Sequence, residues 1–71
     1  MTVYELRIWP IPHHSVSHPL RVEMFQADTN GAAEDHMHDY AARLRKDQQV
    51  FLWAQGGGRS IASADGLADL P

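Results

Sequence analysis

Two stretches of the chain alternate apolar and polar residues, and a proline-rich segment separates them. A period of two is typical of a strand that is buried on one face, so we predict strands over residues 2–9 and 20–27. Between them, the segment 10–19 reads PIPHHSVSHP. Its prolines fix φ and remove backbone donors, which excludes a helix or a central strand there. The chain is therefore expected to begin with two strands joined by a stiff surface loop.

The apolar faces of the two strands predict how they pair. An antiparallel register centred on Ser15 places Ile8 opposite Val22, and Leu6 opposite Met24. The remaining side chains of the strands are then predicted to lie on the outer face of the sheet. Three large apolar side chains fall on that outer face and are expected to need a covering partner: Val3, Trp9 and Phe25.

From position 31 the period of the apolar residues changes to that of an amphipathic helix. Five of them recur on one helical stripe: Ala33, Met37, Tyr40, Ala41 and Leu44. Capping candidates precede this segment, acidic residues fall early in it and basic residues late, which is the arrangement that the helix dipole favours. We therefore predict a helix over residues 31–48.

The remainder of the chain supplies one or two further strands. The apolar run VFLWA predicts a buried strand over residues 50–55, and glycines at 56–58 permit a tight turn. The chain can return as a short strand over residues 59–63, and residues 64–71 are expected to form a turn and a frayed end. These elements predict a single α+β domain of order ββαβ(β). It has a small antiparallel or mixed sheet of three to four strands, with one helix packed on a face.

Chain length and composition exclude several classes of function. A domain of 71 residues buries only about 60% of its unfolded surface, which leaves no room for a deep active site. The formal net charge of −3 opposes attraction to phosphate backbones, so direct binding of nucleic acid is not expected. The sequence contains no cysteine and no signal-like or membrane-spanning run. We therefore expect a cytoplasmic protein without a membrane partner.

The heptapeptide EDHMHDY, residues 34–40, contains the side chains of a metal site. On a helix, however, His36 and His38 lie roughly 200° apart around the axis and cannot chelate one ion. A metal would need further ligands from the loop histidines, which are His13, His14 and His18. We therefore interpret the carboxylates as stabilising the start of the helix, and predict no bound metal.

Two other motifs contain parts of catalytic or binding sites. The loop sequence HHSVSH sets serines beside histidines, but no orienting carboxylate or GxSxG turn accompanies them. The sequence GGGRS lacks the spacing of a phosphate-binding loop and is not followed by a helix-forming stretch. We predict that the protein is not an enzyme and binds no cofactor.

Two resemblances to known families bear on function. The stretch VYELRIW, residues 3–9, resembles the first strand of NIPSNAP-type proteins, which implies a dimeric α+β barrel. That family has a helix after its first strand, where this chain has the proline loop. In size and build, the short, acidic, cysteine-free chain is similar to phage-encoded accessory proteins such as anti-CRISPR inhibitors. This second resemblance implies a protein that binds a larger host protein.

We therefore predict a non-enzymatic protein-binding module, for example a phage or mobile-element inhibitor. It would block a larger host protein, such as a nucleic-acid-handling complex, and a homodimer is compatible with this role. The expected contacts are Arg7, Trp9, Arg21, Phe25, His13, His14, His18, Glu34, Asp35 and Asp39. The alternative is a subunit of a NIPSNAP-like dimeric barrel that binds a small molecule between two sheets. Its cavity would be lined by Tyr4, His36 or Trp53.

Overall fold

The computed structural model describes residues 1–11 and 17–69, which form a four-stranded antiparallel sheet with one helix packed on it. The elements along the chain are β1 (Thr2–Pro10), β2 (Arg21–Ala27), α1 (Asn30–Ala42), β3 (Gln48–Ala54) and β4 (Ala62–Asp65). The strands lie side by side in the order β2-β1-β3-β4, and each neighbouring pair is antiparallel. The predicted α+β class is confirmed.

The core lies between α1 and one face of the sheet. Alternate residues of β1 and β3 point into it, as a period of two predicts, and one stripe of α1 meets them. The buried cluster consists of Tyr4, Leu6, Ile8, Ala33, Met37, Ala41, Leu44, Val50 and Leu52. The hydroxyl of Tyr4 donates a hydrogen bond of 2.7 Å to Oδ1 of Asn30, which ties β1 to the first residue of α1.

The pairing of β1 with β2 differs by one residue from the predicted register. Leu6 lies opposite Glu23 rather than opposite Met24, and the other pairs shift in the same way. Because side chains alternate between the two faces, this shift moves Val22 and Met24 to the outer face and brings Phe25 to the helix side. The prediction that Phe25 lies on the outer face was wrong.

The ring of Phe25 gives the physical reason for the observed register. It stacks on Tyr4 with ring centroids 5.7 Å apart, and on the imidazole of His36 with centroids 4.1 Å apart. β2 carries apolar residues on both of its faces, so alternation alone could not decide which face is buried. The observed register places the largest apolar side chain of the strand between the sheet and the helix.

Substitutions at neighbouring positions of β2 test this register. Phe25→Ala is expected to lower the free energy of unfolding by about 1–3 kcal/mol, because it removes both ring contacts. Met24→Ala is expected to change it by less than about 0.5 kcal/mol, since the Met24 side chain is 55% exposed. Urea denaturation followed by circular dichroism measures both, and the reverse ranking would contradict the register.

The helix begins as the capping pattern predicted but ends at Ala42 rather than near residue 48. Thr29 is the N-cap, and its side-chain oxygen accepts a hydrogen bond of 3.0 Å from the backbone N–H of Ala32. The N–H groups of Arg43 and Leu44 bond to carbonyls three residues back, which closes the last turn. The predicted end was wrong: Leu44 is buried as the apolar stripe predicted, but it lies beyond the closing turn of the helix.

These bounds also change the electrostatic interpretation of the helix. With the helix at Asn30–Ala42, no acidic residue lies in its first turn and no basic residue in its last turn. The dipole effect falls off within the first and last turns, so the charged side chains of the segment are not placed to use it. Stabilisation of the helix start by the acidic residues was therefore a wrong interpretation.

A frayed end was predicted over residues 64–71, but residues 64–69 are folded against the rest of the protein, and residues 70–71 lie outside the described residues. β4 forms at Ala62–Asp65 rather than over 59–63, and the chain then crosses the end of α1. The N–H of Leu67 donates 3.0 Å to the carbonyl of Ala41, and the N–H of Ala68 donates 2.8 Å to that of Leu44. A helix end leaves its last carbonyls without intrahelical partners, so Leu67 bonds a carbonyl of the last turn, and Ala68 bonds the backbone just beyond the helix end.

Gly66 permits this close approach. It is buried, and its N–H donates a hydrogen bond of 2.8 Å to the carbonyl of Gln48. A Cβ atom at this position would overlap the backbone carbonyl of Arg45. Only a glycine fits here without moving either backbone segment.

Gly66→Ala is therefore expected to lower the free energy of unfolding by about 1–3 kcal/mol, because the clash is with backbone rather than with a flexible side chain. Gly58→Ala is the control, since a Cβ there meets nothing within 4 Å, and it should change stability by less than about 0.5 kcal/mol. Both values come from urea unfolding curves. Equal stability of the two variants would show that residues 66–68 do not pack against the helix end.

Candidate functional site

Within the described residues, no second layer of helix or strand covers the sheet face opposite α1. We call this surface the outer face. Three cross-strand pairs of β1 and β3 lie on it: Glu5 with Trp53, Arg7 with Phe51, and Trp9 with Gln49. β2 adds Val22 and Met24, whose side chains are 46% and 55% exposed.

A shallow groove of about 230 Å³ crosses the outer face. We call it the aromatic groove, and its lining residues are Arg7, Trp9, Phe51, Trp53 and Ser60. All five are half-buried: four are neighbours on the pleated outer face of β1 and β3, and Ser60 comes from the segment between β3 and β4. Three aromatic rings and a guanidinium therefore share one site, and tryptophan and arginine are the residue types most enriched in binding hot spots.

Arg7 is held from two sides within the aromatic groove. Its Cζ atom lies 4.2 Å from the centroid of the Trp53 ring, which is within the range of a cation–π interaction. Its Nε atom lies 3.3 Å from Oε1 of Glu5. The guanidinium is therefore held over the indole before any partner binds, which reduces the entropy that binding would cost.

The indole nitrogen of Trp53 adds a second unusual feature. Nε1 is buried and has no hydrogen-bond acceptor among residues 1–11 and 17–69. A buried donor without an acceptor costs about 1–3 kcal/mol, and native structures contain few such groups. A binding partner that supplies an acceptor to this N–H would remove that cost.

A double-mutant cycle tests the contact between Arg7 and Trp53. The variants Arg7→Met, Trp53→Leu and their combination should give a coupling energy of about 0.5–1 kcal/mol in urea unfolding. Arg45 serves as the control because it is exposed and pairs with Asp47 at 3.1 Å, outside the groove. Arg45→Met and Trp53→Leu should be additive, and additivity of the Arg7 pair as well would mean that the cation–π contact contributes nothing.

The predicted contact residues do not form one surface. Arg7 and Trp9 line the aromatic groove, whereas Phe25 packs on the helix side of the sheet. His18 is exposed beyond the end of β1, and the predicted contacts His13 and His14 lie outside the described residues.

Arg21 lies in a second groove, of about 440 Å³, between β2 and α1. We call it the edge groove, and it is lined by Arg21, Glu23, His36, Tyr40, Arg43 and Leu44. Nε of Arg21 donates a hydrogen bond of 3.0 Å to the hydroxyl of Tyr40. Arg7 is paired with Val22, and successive side chains of a strand point to opposite faces. Arg21 therefore lies on the opposite side of the sheet from Arg7.

The acidic residues of the helix are also separated from the aromatic groove. Glu34 is half-buried on α1, and Asp35 and Asp39 are exposed there. Since α1 packs on the core side of the sheet, a single flat partner surface that covers the outer face does not reach these carboxylates. The structure thus divides the predicted contacts between two sides of the molecule.

The heptapeptide at residues 34–40 shows the division of faces that helical geometry predicted. Met37 is fully buried and His38 is exposed, while His36 is exposed and stacks on Phe25. In the part of the chain that the structure describes, no three His, Asp or Glu side chains are grouped closely enough to hold a metal ion.

The cavity expected for a dimeric barrel is not assembled on one face. Tyr4 lies in the core under α1, where its hydroxyl is bonded to Asn30, and His36 lies on the helix itself. Of the three residues predicted to line that cavity, only Trp53 lies on the outer face.

Sequence reasoning did not identify Phe51 and Trp53 as partners of Arg7 and Trp9. The run VFLWA was interpreted as a strand covered on both faces or placed centrally, because every residue in it is apolar. β3 is an inner strand of the sheet, but the helix covers only one of its faces. A finer signal was present: the small and aliphatic residues alternate with the aromatic ones. The two aromatic residues fall on the face away from the helix. Because β3 pairs with β1, they lie there beside Arg7 and Trp9.

Comparison of the chain with known protein families, curated proteins and solved structures gives no match. Among the helices of residues 1–11 and 17–69, none is long and apolar enough to cross a membrane. Function is therefore inferred from the geometry of the outer face and of the sheet edge.

Proposed function

We propose that the protein is a non-enzymatic protein-binding module whose outer face docks on a larger host protein and thereby blocks or modulates it. This is the mode of action of the small phage-encoded inhibitors that the chain resembles in size and build. The observation that carries the proposal is the aromatic groove, in which Arg7, Trp9 and Trp53 are grouped on a sheet face that no helix or strand of the described residues covers.

The energetics of the aromatic groove favour binding over a purely structural role. Large aromatic side chains placed on an uncovered sheet face do not contribute to the core, yet a partner that covers them removes their surface from water. The guanidinium of Arg7 is held in place and can donate hydrogen bonds to a carboxylate or a backbone carbonyl of that partner. The groove thus provides an apolar centre with one oriented donor.

The exposed carboxylates of α1, Asp35 and Asp39, indicate the kind of host protein that we propose. The net charge of −3 and the exposed Asp35 and Asp39 favour a partner with basic surface near the docking site, as nucleic-acid-handling complexes have. Because these carboxylates lie on the side away from the aromatic groove, they steer the approach of the protein rather than form the central contact.

Affinity capture from a host lysate, followed by binding measurements with the purified partner, tests this proposal. Trp9→Ala and Arg7→Glu should each weaken binding by more than about tenfold, as expected for central hot-spot residues. Leu67→Ala is the matched control, since Leu67 is an exposed apolar residue, 66% accessible, near the end of the helix and away from the outer face. It should bind as the unmodified protein does.

Circular dichroism of each variant ensures that loss of binding is not loss of fold. A partner whose affinity is unchanged by both Trp9→Ala and Arg7→Glu would contact another surface, and the proposal would be wrong. The absence of any stoichiometric partner would contradict it as well.

A further inference from the structure

β2 is an edge strand that is exposed over most of its length. Within the described residues it pairs only with β1, and the side chains of residues 21–24 are all exposed. Three of the large apolar side chains that remain exposed lie in this strand or directly before it: Leu20 at 50%, Val22 at 46% and Met24 at 55%. An edge of this length and composition is a template for pairing with another strand.

The opposite edge of the sheet is different. β4 has only four residues, Ala62–Asp65, and none of them is a large apolar residue. Short edge strands of this kind are one of the ways in which proteins avoid edge-to-edge pairing. Association through the sheet edge is therefore expected at β2.

The charges of β2 match a second copy of the same strand. Arg21 and Glu23 both lie on the helix side of the sheet, one on each side of Val22 in the sequence. Neither forms an ion pair with another described residue. In an antiparallel pair centred on Val22, each Arg21 lies opposite the Glu23 of the other copy, which gives two equivalent charge pairs.

We infer that two copies of the protein associate through β2, antiparallel and centred on Val22, so that their two four-stranded sheets become one continuous sheet. On the helix side, the two Arg21–Glu23 pairs fix the register. On the outer face, Val22 meets Val22, and Leu20 meets Met24 of the other copy, which covers part of the exposed apolar surface.

Other two-fold registers of the same strand fit less well. A pair centred on Glu23 sets two carboxylates directly opposite each other, which is destabilising. A pair centred on Met24 sets Arg21 opposite Ala27 and Glu23 opposite Phe25, so that neither charge has a partner. The charge pattern of the strand therefore selects the register centred on Val22.

The edge groove provides the space that these charge pairs need. It lies between β2 and α1 and has a volume of about 440 Å³. Nε of Arg21 is used by the hydroxyl of Tyr40 at 3.0 Å, which orients the guanidinium and leaves its terminal nitrogens for a carboxylate of the other copy. The two-fold axis is perpendicular to the sheet, so both helices lie on the same side and border this space.

Sedimentation velocity over a range of protein concentrations tests the dimer and its register. The unmodified protein should approach twice its chain mass of 8.0 kDa as the concentration rises. Arg21→Glu and Glu23→Arg each set like charges opposite each other in both pairs, and each should raise the dissociation constant of the dimer by at least about tenfold. The double variant with both substitutions exchanges the charges and should restore the dimer.

An equimolar mixture of the two single variants should also form a dimer, because an acidic strand then faces a basic one. Arg59→Glu is the control: it makes the same change of charge in the exposed turn between β3 and β4, and should leave the dimer unchanged. Arg21→Glu also removes the bond to Tyr40, but the double variant lacks that bond too. Recovery in the double variant thus separates the charge effect from any effect on folding.

Three results would overturn the inference. They are a monomer at every concentration, a dimer that none of the charge variants weakens, and a dimer that Trp53→Ala abolishes while Arg21→Glu leaves it intact. All of these measurements use the protein alone, so they stand apart from the capture experiment with a host partner. Either proposal can therefore fail without the other.

Discussion

The packing of Met37 against the buried residues of β1 and β3 ties the single helix to the centre of the sheet. This cluster includes Leu6, Ile8, Val50 and Leu52, and all five residues are fully buried. One helix can cover only one face of a sheet, so the position of Met37 decides which face is core and which is exposed. The capped helix start at Thr29 and the folded segment after β4 both serve to hold α1 in this position.

The two candidate interaction surfaces follow from the same constraint. The aromatic groove lies on the face that the helix cannot reach, and β2 lies at the edge that the helix covers least completely. Among residues 1–11 and 17–69, no helix or strand covers either surface. A host protein on the face and a second copy at the edge would each bury surface that the fold leaves exposed. The aromatic groove and the Arg21–Glu23 pairs use different side chains, whereas Val22 and Met24 lie on the outer face and border both contacts.

Several features of the fold could be predicted from the sequence, for reasons specific to each. Strand β1 was predictable because its alternation is unambiguous, and the start of α1 because a threonine cap precedes an apolar stripe. The register of β2 was not, because Val22 and Met24 on one face compete with Phe25 on the other. The groove formed by Phe51 and Trp53 with Arg7 could not be located before the pairing of β1 with β3 was known.

By itself, the sequence determined the α+β class, the order of the first three elements and the absence of cysteine chemistry. These depend on local periodicity and on residue type, which are independent of tertiary contacts. Three features could be seen only in the folded protein: the end of the helix at Ala42, the bonds of residues 67–68 to the backbone around that end, and the face on which Phe25 lies. Each of these depends on contacts between residues far apart in the chain, whose free energy exceeds the local preference of the segment.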